Sequence, residues 1–264
     1  MKPKFLIPIL LLISANAILA QSQDYFLGKR TYCGMPADKE SRERYKLGID
    51  CIQQNLYIGA ANQIFQDLIK QDSTFCDAYF FAGYTFRLSN MNKEAVVMYY
   101  MADSLAKNRS IEFKINLAAA SMAAGATDLA RKKYEEITKF FPHSSEGYYG
   151  IAVTSTIIGD VDYGLKNIDI AEDRHQEDYR DTYFMKAVLL LANNRYVESI
   201  PYFEKSKSKF SKTDHFNSNY AISLYEAATE GKDEKMLKKA KKHYEKIKNK
   251  SALSEDMRSK FEQK

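Results

Sequence analysis

Residues 76–109 read CDAYFFAGYTFRLSNMNKEAVVMYYMADSLAKNR. Gly83 lies in the middle of the first half, and in the second half the small residue Ala95 stands four positions before the large residue Tyr99. Residues three and four positions apart share one face of an α-helix, so the second half predicts an amphipathic helix. The first half predicts another helix, and the Ser-Asn pair at 89–90 is typical of a helix end. The stretch therefore predicts a helical hairpin.

The same pattern recurs along the chain at steps of 34 or 35 residues. The small residues of the first halves are Gly48, Gly83, Ala118, Ala152, Ala187 and Ala221. The small residues of the second halves are Ala61, Ala95, Ala130, Gly164, Ser199 and Ala240. The large residues four positions later are Phe65, Tyr99, Tyr134, Ile168, Phe203 and Tyr244. Agreement of three columns over six units predicts six consecutive hairpins.

Two of the small residues in the first halves are glycines, Gly48 and Gly83. A glycine inside a helix costs about 1 kcal/mol relative to alanine. Both positions therefore predict a neighbouring backbone that comes too close for a side chain. Turn-forming residues also recur between the halves, at 89–90, 125, 159–160 and 193–194. They predict where each first helix ends.

The repeat resembles the tetratricopeptide repeat, whose pattern combines W-x2-L-G-x2-Y, A-x3-F and a closing P. The residues that carry the resemblance are Tyr79, Tyr148 and Tyr183 at the place of the Trp, Leu47-Gly48 and Leu117-Ala118 at the L-G pair, and Pro142 at the closing proline. The resemblance covers about residues 41–250. It implies an all-α fold, a right-handed α-solenoid of about six tetratricopeptide-like helix hairpins plus a C-terminal capping helix.

The repeat units are predicted near residues 41–74, 76–109, 111–144, 145–178, 180–212 and 214–250. The sixth unit departs from the others in one spacing. Ala221 and Ala240 are 240 − 221 = 19 residues apart, whereas Gly83 and Ala95 are 95 − 83 = 12 residues apart. The geometry of the last hairpin is therefore left open.

Both ends of the repeat region are predicted to be covered. Residues 21–40 contain Gly28, Gly34 and Pro36 and predict an extended segment over one end. Residues 251–264, with a short helical pattern, predict a cap over the other end, because stacked repeats need solvated ends.

The N-terminus has the three-part layout of a secretory signal peptide. Lys2 and Lys4 precede an apolar run from 5 to 13, and small and then polar residues follow. The run is too short to span a bilayer, and no later segment is apolar enough to cross one. We predict a signal peptide at residues 1–20, with cleavage after Ala17 as the alternative. The protein is then exported and soluble, either periplasmic or extracellular.

Three cysteines in an exported chain leave at least one without an intramolecular partner. Cys51 lies in an apolar helical pattern and is predicted to be a small core residue. A bond between Cys33 and Cys76 would close a loop of 76 − 33 = 43 residues, which chain entropy makes worth about 4 kcal/mol. Sequence cannot show that the two sulfurs meet, so the bond remains one possibility and three free thiols the other.

Charge and motifs give no sign of chemistry. The chain has 39 Lys and Arg against 34 Asp and Glu, a net charge of +5 without the basic stripe of a nucleic-acid-binding protein. The nucleophile and phosphate-binding motifs G-x-S-x-G, G-x-x-x-x-G-K-[ST] and G-x-G-x-x-G do not occur. The histidines, which lack metal-ligand spacing and are predicted to lie on the surface, are His143, His175, His215 and His243. We expect no enzyme activity, no metal and no cofactor.

The remaining candidate for function is a surface. In tetratricopeptide arrays the first helix of each hairpin lines the concave side, so the resemblance implies an apolar, aromatic groove. The predicted partner-binding residues are Tyr45, Ile49, Phe80, Tyr84, Arg87, Met122, Tyr149, Val153, Phe184, Val188 and Tyr225. Aromatic anchors dominate binding energy at such surfaces. The alternative for each apolar side chain is packing between neighbouring repeats.

These observations predict an exported scaffold or adaptor that holds another protein or a peptide segment, in a complex of the cell envelope. A homo-oligomer that buries the same face against another copy is the alternative, followed by an unrecognised enzyme. The lysine-rich last unit offers a weaker candidate for an acidic partner or a membrane surface. A solvated end helix accounts for those lysines more simply.

Overall fold

The structure is a computed structural model that describes residues 23–262, except Leu27, Lys29, Leu56 and residues 175–179. The predicted signal peptide lies outside the described residues. Within those ranges the chain is helical and has no strand, which confirms the predicted all-α fold. None of the described helices combines the length and the apolar character that a membrane crossing requires.

The described residues up to Gly147 form one compact unit with three hairpins. Its helices are α1 Gln23–Phe26, α2 Lys39–Gln53, α3 Ile58–Gln71, α4 Cys76–Leu88, α5 Asn92–Ala106, α6 Ile111–Ala123 and α7 Thr127–Phe140. From α2 onward each helix packs on the next, and α2 also contacts α4. Helices α2, α4 and α6 are the first helices of their hairpins. We call the surface that they form the first-helix face.

The described residues from Tyr148 onward form a second compact unit, which begins within the first helix of the fourth hairpin. Its helices are α8 Ser145–Ile158, α9 Val161–Arg174, α10 Arg180–Ala192, α11 Tyr196–Phe210, α12 Asp214–Gly231, α13 Glu234–Glu245 and α14 Glu255–Glu262, with a 3-10 turn at Lys250–Ala252. Helices α9 to α12 each pack on the next, and α10 also contacts α12. The second unit thus repeats the hairpin arrangement of the first.

Left-handed residues end four of the first helices where the sequence has turn formers. Asn90, Gly125, Gly159 and Asn194 have φ angles of 58°, 78°, 90° and 58°. After Asn90, Gly125 and Asn194 the next amide donates to a carbonyl five residues earlier, at 2.8 to 2.9 Å. Such a bond satisfies carbonyl groups that the helix end leaves without an intrahelical partner. The predicted helix ends at these positions are therefore confirmed.

The glycines of the first helices make room for aromatic rings. A Cβ atom added to Gly48 would lie 2.7 Å from Cζ of Phe65, and one added to Gly83 would lie 2.9 Å from Cδ1 of Tyr99. Each ring belongs to the second helix of the same hairpin. The prediction of a close backbone is therefore wrong. The column of large residues packs directly on the column of small ones.

The long spacing of the sixth unit lengthens its first helix. Helix α12 has 18 residues, whereas α4 has 13. The left-handed residue Lys232 (φ 53°) ends α12 in place of the Asn or Gly found elsewhere. The hairpin is retained because the additional residues extend a helix and leave the turn intact.

Helix α14 covers the sixth hairpin. The Phe261 ring stacks on Tyr244 of α13 at 4.6 Å between ring centroids and contacts Tyr225 of α12 at 5.3 Å. Lys260 Nζ lies 2.6 Å from Glu226 Oε1. The predicted C-terminal capping helix is thus present, and it is attached through the stacked ring of Phe261 and through the buried side chain of Met257.

Candidate protein-binding face

The first-helix face of the first unit is occupied by the N-terminal segment of the same chain. We call residues 23–36, without 27 and 29, the strap. Tyr25 of the strap is fully buried, and its ring lies 5.3 Å from Phe80, 5.3 Å from Phe81 and 5.9 Å from Phe113. These three rings belong to α4 and α6. Offset and edge contacts at such distances are favourable beyond the area that they bury.

The strap also follows the face towards α2. The Phe26 ring lies 5.6 Å from Tyr84 of α4, and the Phe26 carbonyl accepts a hydrogen bond from Gln53 Nε2 at 3.1 Å. Gly28 passes so close to Ile49 that an added Cβ would lie 2.8 Å from its Cδ1 atom. A positive φ of 66° also favours glycine at that position. The strap therefore contacts the first helices of all three hairpins.

A buried carboxylate holds the strap backbone. Asp77 lies in the first turn of α4 and accepts hydrogen bonds from the amides of Tyr32 and Cys33, each at 2.9 Å. The Tyr25 hydroxyl donates to the same carboxylate at 3.1 Å. Burial raises the pKa of Asp77, although these hydrogen bonds oppose the shift. Because Asp77 binds backbone amides, this contact can hold a non-helical chain regardless of the side chains that the chain has.

A second carboxylate binds strap side chains. Glu112 of α6 accepts hydrogen bonds from the Tyr32 hydroxyl and from Ser110 Oγ, the latter at 3.0 Å. Arg30 Nη2 lies 3.3 Å from Glu112 Oε1. Burial and the hydrogen bond to Glu112 raise the pKa of Tyr32 to about 12. The face where the strap lies therefore has charges of both signs: the carboxylates Asp77 and Glu112, Arg87 beside Tyr84, and Arg109, whose Nη2 atom lies 3.7 Å from Cys33 Sγ.

A disulfide bond fixes the end of the strap. Cys33 and Cys76 are bonded, with their Cα atoms 5.7 Å apart, and Cys51 is free. The pairing that the sequence left open is therefore present. In the described residues one group, Cys33, Cys76 and Asp77, has the proximity of a metal site. Both sulfurs are used in the disulfide bond, and the carboxylate accepts three hydrogen bonds, so this group is a structural lock.

Three of the predicted partner-binding residues are covered. Tyr45, Ile49 and Phe80 are at most 1% exposed. Tyr45 packs among aromatic rings of the first two hairpins, while the strap covers the other two through Gly28 and Tyr25. The prediction of an open groove at these residues is corrected accordingly. Sequence periodicity identified the face but not the segment that lies on it.

Two further predicted residues are buried in the second unit. Val153 is 2% exposed and Val188 is 8% exposed. A partner could reach them only if the side chains that cover them moved. Their role in binding stays a prediction.

The other six predicted residues are partly exposed; they are Tyr84, Arg87, Met122, Tyr149, Phe184 and Tyr225. The Arg87 guanidinium lies 5.0 Å from the ring centroid of Tyr84, a cation–π contact on α4. Phe184 stacks on Phe210 at 4.7 Å, and Tyr225 packs on α14. Phe184 and Tyr225 therefore contribute to the packing of the second unit, and partner contact by all six stays a prediction.

Lys114, a cation that could have bound a peptide carboxylate, is buried in an ion cluster. Its Nζ atom lies 2.9 Å from Asp103 Oδ1 and 2.6 Å from Glu136 Oε2. Lys133 Nζ contacts the same two carboxylates at 2.7 Å and 2.9 Å. The four charges alternate in sign and balance one another. A cleft of about 400 Å³ lies beside the cluster, with Phe140 in its lining.

One histidine departs from its predicted surface position. His243 is 3% exposed, and its Nδ1 atom lies 2.8 Å from Asn217 Oδ1. Burial lowers the pKa of His243 to about 4, and the positive charges of Lys246, Lys207 and Lys239 add to the effect. His143 is exposed and His215 is partly exposed, while His175 lies outside the described residues. His243 is a neutral core residue at ordinary pH.

Sequence reasoning missed the two carboxylates that bind the strap. Asp77 and Glu112 each stand at the second position of a first helix, where an acidic residue also favours the helix N-terminus. Because this effect already accounts for acidic residues at the two positions, their contacts with the strap were not predicted. The available signal was the position of Asp77 directly after Cys76, together with the aromatic residues Tyr25 and Tyr32 in a segment outside the repeats.

Comparison of the sequence with protein-family models and with curated proteins gives no match. Solved structures share the fold. A tetratricopeptide repeat protein from Parabacteroides merdae is 13% identical with a TM-score of 0.65, over 85% of this chain and 98% of that chain. The Cut9–Hcn1 hetero-tetramer of the APC/C contains a chain that is 14% identical with a TM-score of 0.63; the match covers 84% of this chain but 42% of that one.

YrrB, described as a tetratricopeptide repeat protein with an unusual peptide-binding site, is 15% identical with a TM-score of 0.56. The match covers 66% of this chain and 93% of YrrB. At such identities the likeness shows the tetratricopeptide-like fold alone.

Proposed function

We propose that this protein is an exported scaffold that binds an extended segment of another protein on its first-helix face, as part of an envelope complex. The observation that carries the proposal is the strap. The face already holds a segment that was predicted to be extended but has a helical turn at Gln23–Phe26 and no regular structure at residues 30–38. Tyr25 of the turn makes aromatic contacts, and two consecutive amides of the later part donate to Asp77. The peptide-binding site of YrrB supports the same use of the fold.

Binding without catalysis agrees with how the charged groups are used. Asp77 and Glu112 accept hydrogen bonds from the strap, and the charges around Lys114 balance one another. A catalytic acid, base or nucleophile has to remain available to a substrate. These groups serve positioning and packing instead.

Export is supported by the disulfide bond as well as by the N-terminal sequence. Disulfide bonds persist in oxidising compartments and are rare in the cytosol. A fusion of residues 1–30 to a reporter enzyme that is active only after export tests whether this N-terminal sequence directs export. Activity is expected for the native leader and not for a variant with Leu10, Leu11 and Leu12 changed to Arg. Equal inactivity of both fusions would contradict export.

The binding surface can be tested by photo-crosslinking in the native host. A photoreactive phenylalanine analogue replaces Tyr84 on the first-helix face in one variant and the exposed Tyr100 on α5 in a matched control. Each variant is made with and without the Cys33–Cys76 bond. We expect adducts with a defined protein from position 84 in at least one redox form and none from position 100. Adducts from position 100 alone, or from neither position, would contradict the proposal.

Mass measurement in solution separates binding of another protein from the self-assembly alternative. We expect a monomer when the protein is purified alone. A stable dimer in which the photo-crosslinks from position 84 join two copies of the chain would favour self-assembly.

A further inference from the structure

We infer that the strap is a built-in competitor: it occupies the site of a partner segment that has the same chemistry. The inference rests on the proposed function and names both the partner class and the regulation of the same site. The partner is a segment of another protein with two adjacent aromatic residues, a tyrosine several positions later and no acidic residue beside that tyrosine. It binds when the Cys33–Cys76 bond is open.

The contacts of the strap define what such a partner must offer. The paired aromatic residues Tyr25 and Phe26 fill the space over Phe80 and Phe81. The site then demands two free backbone amides for Asp77 and favours a hydroxyl and a cation beside Glu112. An acidic side chain placed beside Asp77 or Glu112 would be repelled.

The way the strap is attached implies that the site becomes available in two stages. The disulfide bond opens first, and a partner segment then displaces the strap. Gly34 follows the disulfide with φ of 88°, and an added Cβ there would meet no atom within 4 Å, so this point can act as a pivot. With the bond closed, the strap keeps residues 32 and 33 at Asp77, because Cys33 is bonded to Cys76 of α4. With the bond open, it becomes a tethered ligand at an effective concentration on the order of millimolar, against which a partner can compete.

Opening the bond is ordinary thiol–disulfide exchange. A dithiol reductant attacks one sulfur, Cys33 and Cys76 become thiols, and the two thiols of the reductant become a disulfide. A second copy of this chain is a poorer occupant than another protein. It offers only its own strap, which the same bond holds in place.

Peptide binding to the full-length chain tests the inference. The probe is a fluorescent peptide with the sequence of residues 21–36 and Ser at position 33. The receptors are the oxidised protein, a Cys33→Ser, Cys76→Ser variant, the same variant with Asp77→Asn, and Cys51→Ser as a control that keeps the disulfide. Asn at position 77 would keep one acceptor oxygen and place an NH2 group against the other strap amide, so one of the two backbone hydrogen bonds would be lost.

We expect no binding to the oxidised protein or to Cys51→Ser, and binding to the double cysteine variant with an apparent dissociation constant of about 1 mM, because the tethered strap competes at a concentration of that order. Binding to the variant with Asp77→Asn should be weaker still. A peptide with Ala at the three aromatic positions should not bind. Absence of binding to a folded double cysteine variant overturns the inference. So does loss of the circular dichroism of that variant, because the strap would then be an inseparable part of the core. Dimerisation by exchanged straps would assign the site to a second copy and also overturn it.

The two proposals can fail separately. Adducts from position 84 in the oxidised protein, without peptide binding to the disulfide-free protein, would support the scaffold function and refute the competitor. Peptide binding without adducts from position 84 in either form would refute the scaffold function and leave a site that recognises only its own strap.

Discussion

The two ends of the chain close two different surfaces. The strap crosses three first helices and is held by a buried tyrosine, by two carboxylates and by a disulfide bond. Helix α14 covers a single hairpin and is held by the ring of Phe261, by the buried side chain of Met257 and by ion pairs of Lys260 with Glu226 and Asp256. An end cap needs only to exclude water from the last hairpin. The directed hydrogen bonds of the strap to backbone and side chains are typical of ligand recognition.

The largest effect is expected from the buried anchor of the strap. Tyr25→Ala should lower the free energy of unfolding of the first unit by roughly 4–5 kcal/mol, because a buried aromatic side chain is lost and Asp77 loses a donor. Tyr25→Phe keeps the ring and should cost about 1 kcal/mol. Urea unfolding followed by unit-resolved hydrogen exchange measures both. Equal losses for the two variants would mean that the ring contacts are not what holds the strap.

The covalent lock of the strap should have the next largest effect. Removal of the Cys33–Cys76 bond by a double serine substitution should lower the free energy of unfolding of the first unit by about 4 kcal/mol, because the closed loop of 43 residues is released. The second unit should be unaffected. Thiol titration of the unfolded wild-type protein should find one free thiol, Cys51. Three free thiols would contradict the lock.

A pH effect that depends on one buried histidine is expected in the second unit. Because burial lowers the pKa of His243 to about 4 while the unfolded chain takes up its proton near pH 6.5, the neutral folded form is fully stable above pH 6.5. Stability is then lost as the pH falls towards 4, by at most about 3 kcal/mol. His243→Gln should remove this dependence. Thermal melts at pH 7 and pH 4.5 check it, and an identical pH slope in both proteins would refute the assignment.

The smallest effect is expected from the C-terminal cap. Phe261→Ala should lower the free energy of unfolding of the second unit by about 1–2 kcal/mol, since a partly exposed ring and its stacking on Tyr244 are lost. Tyr57→Ala, at an exposed site in the turn between α2 and α3, should change stability by less than about 0.5 kcal/mol. A loss at Phe261 as large as that at Tyr25 would abolish the distinction between strap and cap.

Much of the fold could be predicted because the same pattern of small, large and turn-forming residues recurs in each repeat unit. The columns of small and large residues fixed which helices pair, and Asn90 and Gly125 marked helix ends through the one conformation that favours them. The nature of the neighbour at Gly48 was not accessible, since spacing does not distinguish a ring from a backbone.

The site was harder to predict because its occupant lies outside the repeats. Ile49 and Phe80 have the positions of groove residues, but they are covered by a segment that no periodicity connects to them. The pairing of Cys33 with Cys76 contained that connection, although a sequence cannot show that two sulfurs meet. His243 was assigned to the surface because one apolar face does not reveal which of its polar neighbours is buried.

Native-state hydrogen exchange of the Tyr32 and Cys33 amides tests the account most directly. In the oxidised protein both amides should be as protected as those of α4. In the full-length Cys33→Ser, Cys76→Ser variant, residues 32 and 33 should exchange at least 10-fold faster than α4, because the strap opens while the hairpins remain folded. Exchange of both segments at one common rate would mean that the strap leaves only when the unit unfolds, and would contradict the account.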